Sequence, residues 1–173
     1  MIEIRHIRET DASDFLSLCR DLDDETQFML LESGERQTTV EEQQERIRSV
    51  LSRDNHGIFV AESDGRLVGY VAGSGGPYRR NRRTVYVVIG IIQAFAGQGL
   101  GAKLLAELEK WARDHEVHRL ELTVMSHNEK AVGLYQTMGF VIEGTKRHSL
   151  FVSGAFVDEY CMAKLLPWAF SKS

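Results

Sequence analysis

Apolar and charged side chains alternate over residues 2–7, Ile-Glu-Ile-Arg-His-Ile, the two-residue period of a half-buried strand. Thr10-Asp11 then offers a cap to a helix whose apolar stripe is Phe15, Leu18 and Leu22. An acidic cluster follows, Asp21, Asp23, Asp24 and Glu25, and then an irregular stretch through Gly34. Thr39-Val40-Glu41-Glu42 reads as a capping box and predicts a second helix ending near Leu51. Ile58-Phe59-Val60-Ala61 and residues 67–72 read as two strands joined by the hairpin turn Asp64-Gly65. A glycine-rich, then basic loop occupies 73–81, and the apolar, β-branched run at 84–92 predicts a central strand. Residues 102–114 hold neither Gly nor Pro and set Leu104, Leu105, Leu108 and Trp111 on one helical face. Residues 120–124 predict a short strand. Ser126-His127-Asn128-Glu129 reads as a second capping box, opening a helix that stops at Gly139. Two last strands, 140–146 and 155–163, are linked near Gly154. This order predicts an α/β domain around a mixed sheet.

Length and composition narrow the class. At 173 residues the chain is expected to be one domain, 1–173, long enough to hold a core without staples. It is 43% hydrophobic and 27% charged with two prolines, which is globular material and excludes disordered or collagen-like chains. The formal net charge of -4 argues against nucleic acid as partner, because duplex affinity is largely phosphate neutralisation. Cys19 and Cys161 are the only cysteines and lack metal spacing, so reduced thiols and a cytoplasmic setting are expected. The six histidines also show no metal spacing, and no metal is expected. No apolar run approaches the roughly 20 residues that span a bilayer, so no membrane partner is expected.

Chemistry concentrates after the central strand. Glycines at 97, 99 and 101 sit between a strand and a helix. Glycine lets the backbone approach an anion and adopt positive φ, and a helix start offers unpaired N–H groups with a positive dipole end. Gly97, Gln98, Gly99, Leu100, Gly101 and Ala102 therefore form a candidate phosphate or diphosphate cradle. Two nucleotide templates fit poorly. A Walker loop needs Lys-Ser/Thr after its last glycine, where this chain has Ala102-Lys103-Leu104. The dinucleotide fingerprint needs its third glycine one residue later.

The run Asn128-Glu129-Lys130-Ala131-Val132-Gly133-Leu134-Tyr135-Gln136-Thr137-Met138-Gly139-Phe140 is far more specific. With it the chain resembles the GCN5-related N-acetyltransferase (GNAT) superfamily. Its signatures are Q/R-x-x-G-x-G/A at the cofactor helix and N-x-x-A-x-x-L-Y-x-x-x-G-F one helix later. The resemblance covers nearly the whole chain and is strongest over residues 85–140. It implies the GNAT acyl-CoA N-acyltransferase fold, a mixed, mostly antiparallel sheet of about seven strands flanked by about four helices. It also implies acetyl-CoA as co-substrate, wedged where the central strand splays from its parallel neighbour. The pantetheine arm would pair along Ile89 and Ile91 like an added strand, and the pyrophosphate would take the amides of the cradle. Asn128 matches a cofactor-contacting position, and Tyr135 matches the tyrosine that protonates the departing thiolate. The family's Gln/Arg position holds Ala96, with Gln98 as a substitute donor and weaker CoA binding expected.

The implied reaction is direct attack of a primary amine on the thioester, with an oxyanion donor near Ile91. The attacking amine must be neutral, and the central strand supplies no carboxylate to act as base. Glu121, Glu143 and Asp158 are candidates. The absence tilts the expected acceptor toward α-amino groups, whose pKa is near 7.8 against about 10.4 for lysine. A small-molecule amine and a protein N-terminal amine both stay open, as does a homodimer. A CoA-binding sensor without turnover also stays open, because of Ala96 and the missing carboxylate. Acceptor choice is expected to lie in residues 28–39 and in the 147–154 connection. The acidic residues at 21–25 flank that cleft by resemblance, and His127, which abuts Asn128, is a candidate to reach it. Arg79, Arg80, Arg82 and Arg83 read as a solvated loop. About 30 Å of extended strand separates them from residue 92, so they lie at the wrong end for a pyrophosphate.

Overall fold

The computed structural model describes residues 1–168. Its strands form one seven-stranded sheet in the order β1-β2-β3-β4-β5-β7-β6. The strands are β1 (Ile2–His6), β2 (His56–Ser63), β3 (Arg66–Gly75), β4 (Thr84–Ile91), β5 (Arg119–Met125), β6 (Val141–Val152) and β7 (Ala155–Leu165). The helices are α1 (Ala12–Glu25), α2 (Val40–Leu51), α3 (Leu100–Asp114) and α4 (Glu129–Thr137). Every neighbouring pair of strands is antiparallel except β4 and β5, which are parallel. This is the expected mixed, mostly antiparallel sheet with four helices.

The core lies between the sheet and a helix layer on each face. On one face Phe15 of α1 meets Tyr70 of β3 edge-on, with ring centroids 5.1 Å apart. On the other, Leu104 and Leu108 of α3 are fully buried over β3. The alternation read from the sequence is what places Tyr70 and its neighbours on opposite faces. Asp64 and Gly65 both take positive φ, 50° and 77°, as a two-residue hairpin turn requires. Thr39 and Glu42 form the expected reciprocal cap on α2. Both cysteines are free, and burial pushes the Cys19 thiol up to about 11. Among the described residues, no helix is long and apolar enough to cross a membrane.

Several expected boundaries are corrected. β3 continues through Gly73 and Gly75, because β4 pairs with it there. α3 begins at Leu100 rather than 102, so Gly101 lies inside its first turn. The cap of α4 is Asn128, whose Oδ1 accepts from Ala131 N–H at 3.3 Å, and not Ser126. β6 does not stop at 146. Its polar Lys-Arg-His stretch reads as loop, but β7 pairs with it out to Val152 opposite Ala155, through a bulge between Lys146 and Leu150. Phe151 and Phe156 face each other there, with centroids 5.0 Å apart. The supposed 147–154 connection is thus mostly strand, and only Ser153 and Gly154 turn.

Asp11 also departs from its expected role. Its carboxylate does not cap α1 but receives the Arg5 guanidinium at 2.8 and 3.0 Å and the Arg8 N–H at 2.7 Å. Arg5 also bonds Glu62 on β2 at 2.8 Å. The Arg5 hydrogen bond holds the Asp11 carboxyl below its ordinary value. A lowered carboxyl stabilises the fold above its unfolded value, and that contribution fades as pH falls through the folded value. Asp11→Asn is therefore expected to cost about 2 kcal/mol at neutral pH. The gap should close below about pH 4, measured by urea unfolding across pH.

Candidate active site

β4 and β5 pair only at their beginnings, Thr84 with Arg119, Val85 with Leu120 and Tyr86 with Glu121. Beyond that rung they part. Residues 87–91 of β4 still pair with β3 on one side, and residues 122–125 of β5 with β7 on the other. The facing edges therefore carry backbone groups with no ladder partner, and a gap of this kind suits an extended polar chain. Ile89 and Ile91 lie on the open stretch of β4.

The wide end of the gap runs into the glycine loop. A short 3-10 turn, Gln93–Phe95, follows β4 and leads to Ala96. Gly97 and Gly99 take φ of 73° and 81°, the left-handed region that favours glycine, and Gly99 is the N-cap of α3. A Cβ built on either would meet nothing within 4 Å, so the loop faces open space. The first helical bond is Lys103 N–H to Gly99 O, 3.2 Å. The donors of Gly97, Gln98, Gly99, Leu100, Gly101 and Ala102 precede that ladder, at the positive end of a 15-residue helix. The residues present suit a diphosphate. The Gln98 side chain donates to Ala94 O at 3.3 Å, folded back on the loop and not held out as a donor in place of Ala96. Gly101 has a different task. A Cβ there would lie 2.8 Å from Cδ2 of Leu134, so its absence is what lets α4 approach α3.

Leu134 thus sits beside Gly101, near Ile91, and its neighbour Tyr135 lies within electrostatic reach of Tyr86. Tyr135 is 7% exposed, its ring packs on Phe140 at 5.8 Å, and its hydroxyl has no hydrogen-bond partner among the described residues. Burial, with a smaller contribution from Tyr86, pushes the phenol well above its ordinary value, so it stays protonated. Asn128 at the start of α4 spends its Oδ1 on the cap, which leaves its amide N–H groups as its remaining donors.

The charged candidates are largely committed elsewhere. Asp21 pairs with Arg66, Asp23 with Arg36, and Asp24 with the Ser33 hydroxyl, while Glu25 accepts from Gln93 N–H at 2.9 Å. The cluster is the end of α1 tied to its surroundings, not a free anionic patch. Arg119 binds Glu121 at 2.8 Å and Glu143 at 2.9 and 2.5 Å, and its hydrogen bond holds the Glu143 carboxyl below its ordinary value. Asp158 accepts from His148 N–H at 2.8 Å in the β6–β7 hairpin. His127 leans on Phe28, centroids 5.1 Å apart, which joins the 28–39 segment to the start of α4. Arg82 pairs with Asp54, and Arg83 with Glu116, at the far end of β4 from the glycine loop.

One pair escapes the sequence reading. The Tyr86 hydroxyl lies 2.7 Å from Thr123 Oγ1, spanning the point where β4 and β5 separate. The only sequence signal is an aromatic in the middle of an otherwise aliphatic central strand.

Comparison with known proteins fixes the family. The profile of the acetyltransferase (GNAT) family matches residues 16–140. The chain belongs to the acetyltransferase (GNAT) family. Its similarity to N-alpha-acetyltransferase RimI of Mycobacterium tuberculosis is 36% identity over 121 residues, 68% of this chain and 70% of that protein. Its similarity to the L-amino acid N-acetyltransferase AaaT of Escherichia coli K12 is 33% over 113 residues, 62% of this chain and 67% of that one. An acetyltransferase of the GNAT family from Streptococcus pneumoniae shares the fold with a TM-score of 0.93 at 32% identity, covering 96% of this chain and 100% of that one. As a GNAT protein the chain is an acyltransferase, and the reading as a sensor without turnover is set aside. The parted strands, the glycine loop and the helix of the second signature all lie within the matched residues.

Proposed function

We propose that this GNAT enzyme transfers an acetyl group from acetyl-CoA to the α-amino group of a small molecule or of a protein N-terminus, by direct attack in a ternary complex. The observation that carries the proposal is the run of unladdered backbone donors, from the open edge of β4 into the loop at 97–102. A pyrophosphate at that loop leaves the pantetheine to run past Ile91 and Ile89 toward the closed end of the gap. The thioester then falls beside residues 87–88. A backbone N–H of the open stretch of β4 would serve as the oxyanion donor.

The amine nitrogen forms the new bond to the carbonyl carbon, the C–S bond breaks, the thiolate takes a proton from Tyr135, and the proton shed by the nitrogen passes to water, from which the Tyr135 phenolate is reprotonated. A dry gap raises the phenol, but it equally raises the basicity of a thiolate formed in the same place, so the transfer stays matched. Asn128 would lend its amide N–H to the donor chain. None of the three carboxylates read as candidate bases stands free, since Glu121 and Glu143 are paired with Arg119 and Asp158 is held in its hairpin. That favours an acceptor already partly neutral at pH 7. Deprotonating an α-amino group costs about 1 kcal/mol there, against about 4.6 for a lysine-like amine. The names of the two relatives, an N-alpha-acetyltransferase and an L-amino acid N-acetyltransferase, support the same choice. The two unbonded thiols fit a reducing, cytoplasmic setting.

The test is thiol release from acetyl-CoA with L-methionine, an alanine-initiated tetrapeptide and spermidine, across pH. The α-amino acceptors should be preferred, and the profile with the tetrapeptide should flatten above about pH 8 as its terminal amine titrates. Glu143→Gln should leave the profile unchanged. Preference for spermidine, or a limb that vanishes in Glu121→Gln or Glu143→Gln, would refute the choice of acceptor.

A further inference from the structure

The missing strand carboxylate leaves a question of what receives the acceptor, and the face of the sheet beside the gap answers it. Val85 is fully buried against α3, beside Leu108. Strand alternation turns Tyr86 to the opposite face. Further along that face Gly90 is covered by Leu22 of α1, but Tyr86 and Val88 remain 40% and 38% exposed. On β5, Leu122 and Val124 are buried, so Thr123 between them shares the face of Tyr86. Their hydroxyls meet at 2.7 Å, just past the last rung at Tyr86 and Glu121. The ring is therefore held in place while the residue stays 40% exposed. The neighbouring charged groups on this face, Arg119, Glu121 and Glu143, are spent on one another. The phenol oxygen can still accept a second hydrogen bond.

We infer that Tyr86 is the acceptor-binding residue at the closed end of the gap and that Thr123 is the positioning residue behind it. The Tyr86 O–H donates to Thr123 Oγ1, and the phenol oxygen accepts an N–H of the incoming primary amine. The amine lone pair is left to face the thioester carbonyl. Ile89, on the pantetheine seat, is about 10 Å of strand from Tyr86, so an acyl group beyond that seat arrives beside the phenol. This inference rests on the acetyl-transfer reading above.

The experiment is steady-state kinetics with acetyl-CoA and L-methionine, and again with the alanine-initiated tetrapeptide. Tyr86→Phe keeps the ring and removes only the hydroxyl. It is expected to raise the acceptor KM about fivefold, the loss of one neutral hydrogen bond, while the acetyl-CoA KM stays within about twofold. Thr123→Val should move the acceptor KM in the same direction, and Thr123→Ser, which retains the hydroxyl, should restore it. Unchanged acceptor KM in Tyr86→Phe, or a rise confined to acetyl-CoA, overturns the inference while leaving acetyl transfer intact. A wild-type enzyme that binds CoA but releases thiol with neither amine overturns the underlying reading, and this one with it.

Discussion

Tyr135→Phe should lower kcat for acetyl transfer by about a hundredfold, the usual scale of one general acid, with the KM for acetyl-CoA nearly unchanged. The substitution is unusually clean. The ring stays to pack on Phe140, and among the described residues the hydroxyl removed has no hydrogen-bond partner whose loss would disturb the fold. Thermal stability should therefore hold, so a fall in rate reports on the proton. The phenol is held high by burial, so wild-type kcat should show no alkaline loss from Tyr135 ionisation up to about pH 10. The measurement is thiol release at saturating acetyl-CoA, wild type beside variant. Equal rates would mean that the thiolate leaves without help from this residue.

The second large effect is on stability. Asp23 is 4% exposed and accepts from Arg36 through Nε at 2.8 Å and Nη2 at 3.1 Å. Arg36 belongs to the segment between α1 and α2, so this bidentate pair pins that segment to α1. Asp23→Ala leaves a mostly buried guanidinium without its partner. It should cost about 3 kcal/mol, the penalty for half a buried ion pair. For a chain of this length that lowers Tm by roughly 10 °C. The double variant Asp23→Leu with Arg36→Met should recover most of the loss, because it removes the uncompensated charge along with the pair. Differential scanning calorimetry of the three proteins decides it. A double variant as unstable as the single one would place the cost in lost packing rather than in the stranded cation.

Much of this architecture was legible because it obeys local rules. The apolar run of β4, the Thr39 cap, the Asp64-Gly65 turn and the leucine face of α3 all state their conformation in short-range pattern. The glycine loop and Tyr135 were legible as residue types in fixed spacing. What escaped was set by partners distant in sequence. The Arg5 guanidinium draws Asp11 away from the helix it would cap. β7 extends β6 through a polar stretch that reads as loop. Glu121 and Glu143 look like free bases until Arg119 is found between them, 2 and 24 positions away. The Tyr86–Thr123 contact spans 37 positions and depends on where two strands diverge, which no local pattern records.

The separation of β4 from β5 also bears on how long the protein survives. A strand left without hydrogen bonds along one side of its outer half is an incomplete ladder, and a bound pantetheine would complete it. A donor present at a hundred times its Kd then adds about 2.7 kcal/mol to the folded state. Resistance to proteases should rise and fall with that occupancy, so turnover of the polypeptide becomes tied to the supply of the metabolite it consumes.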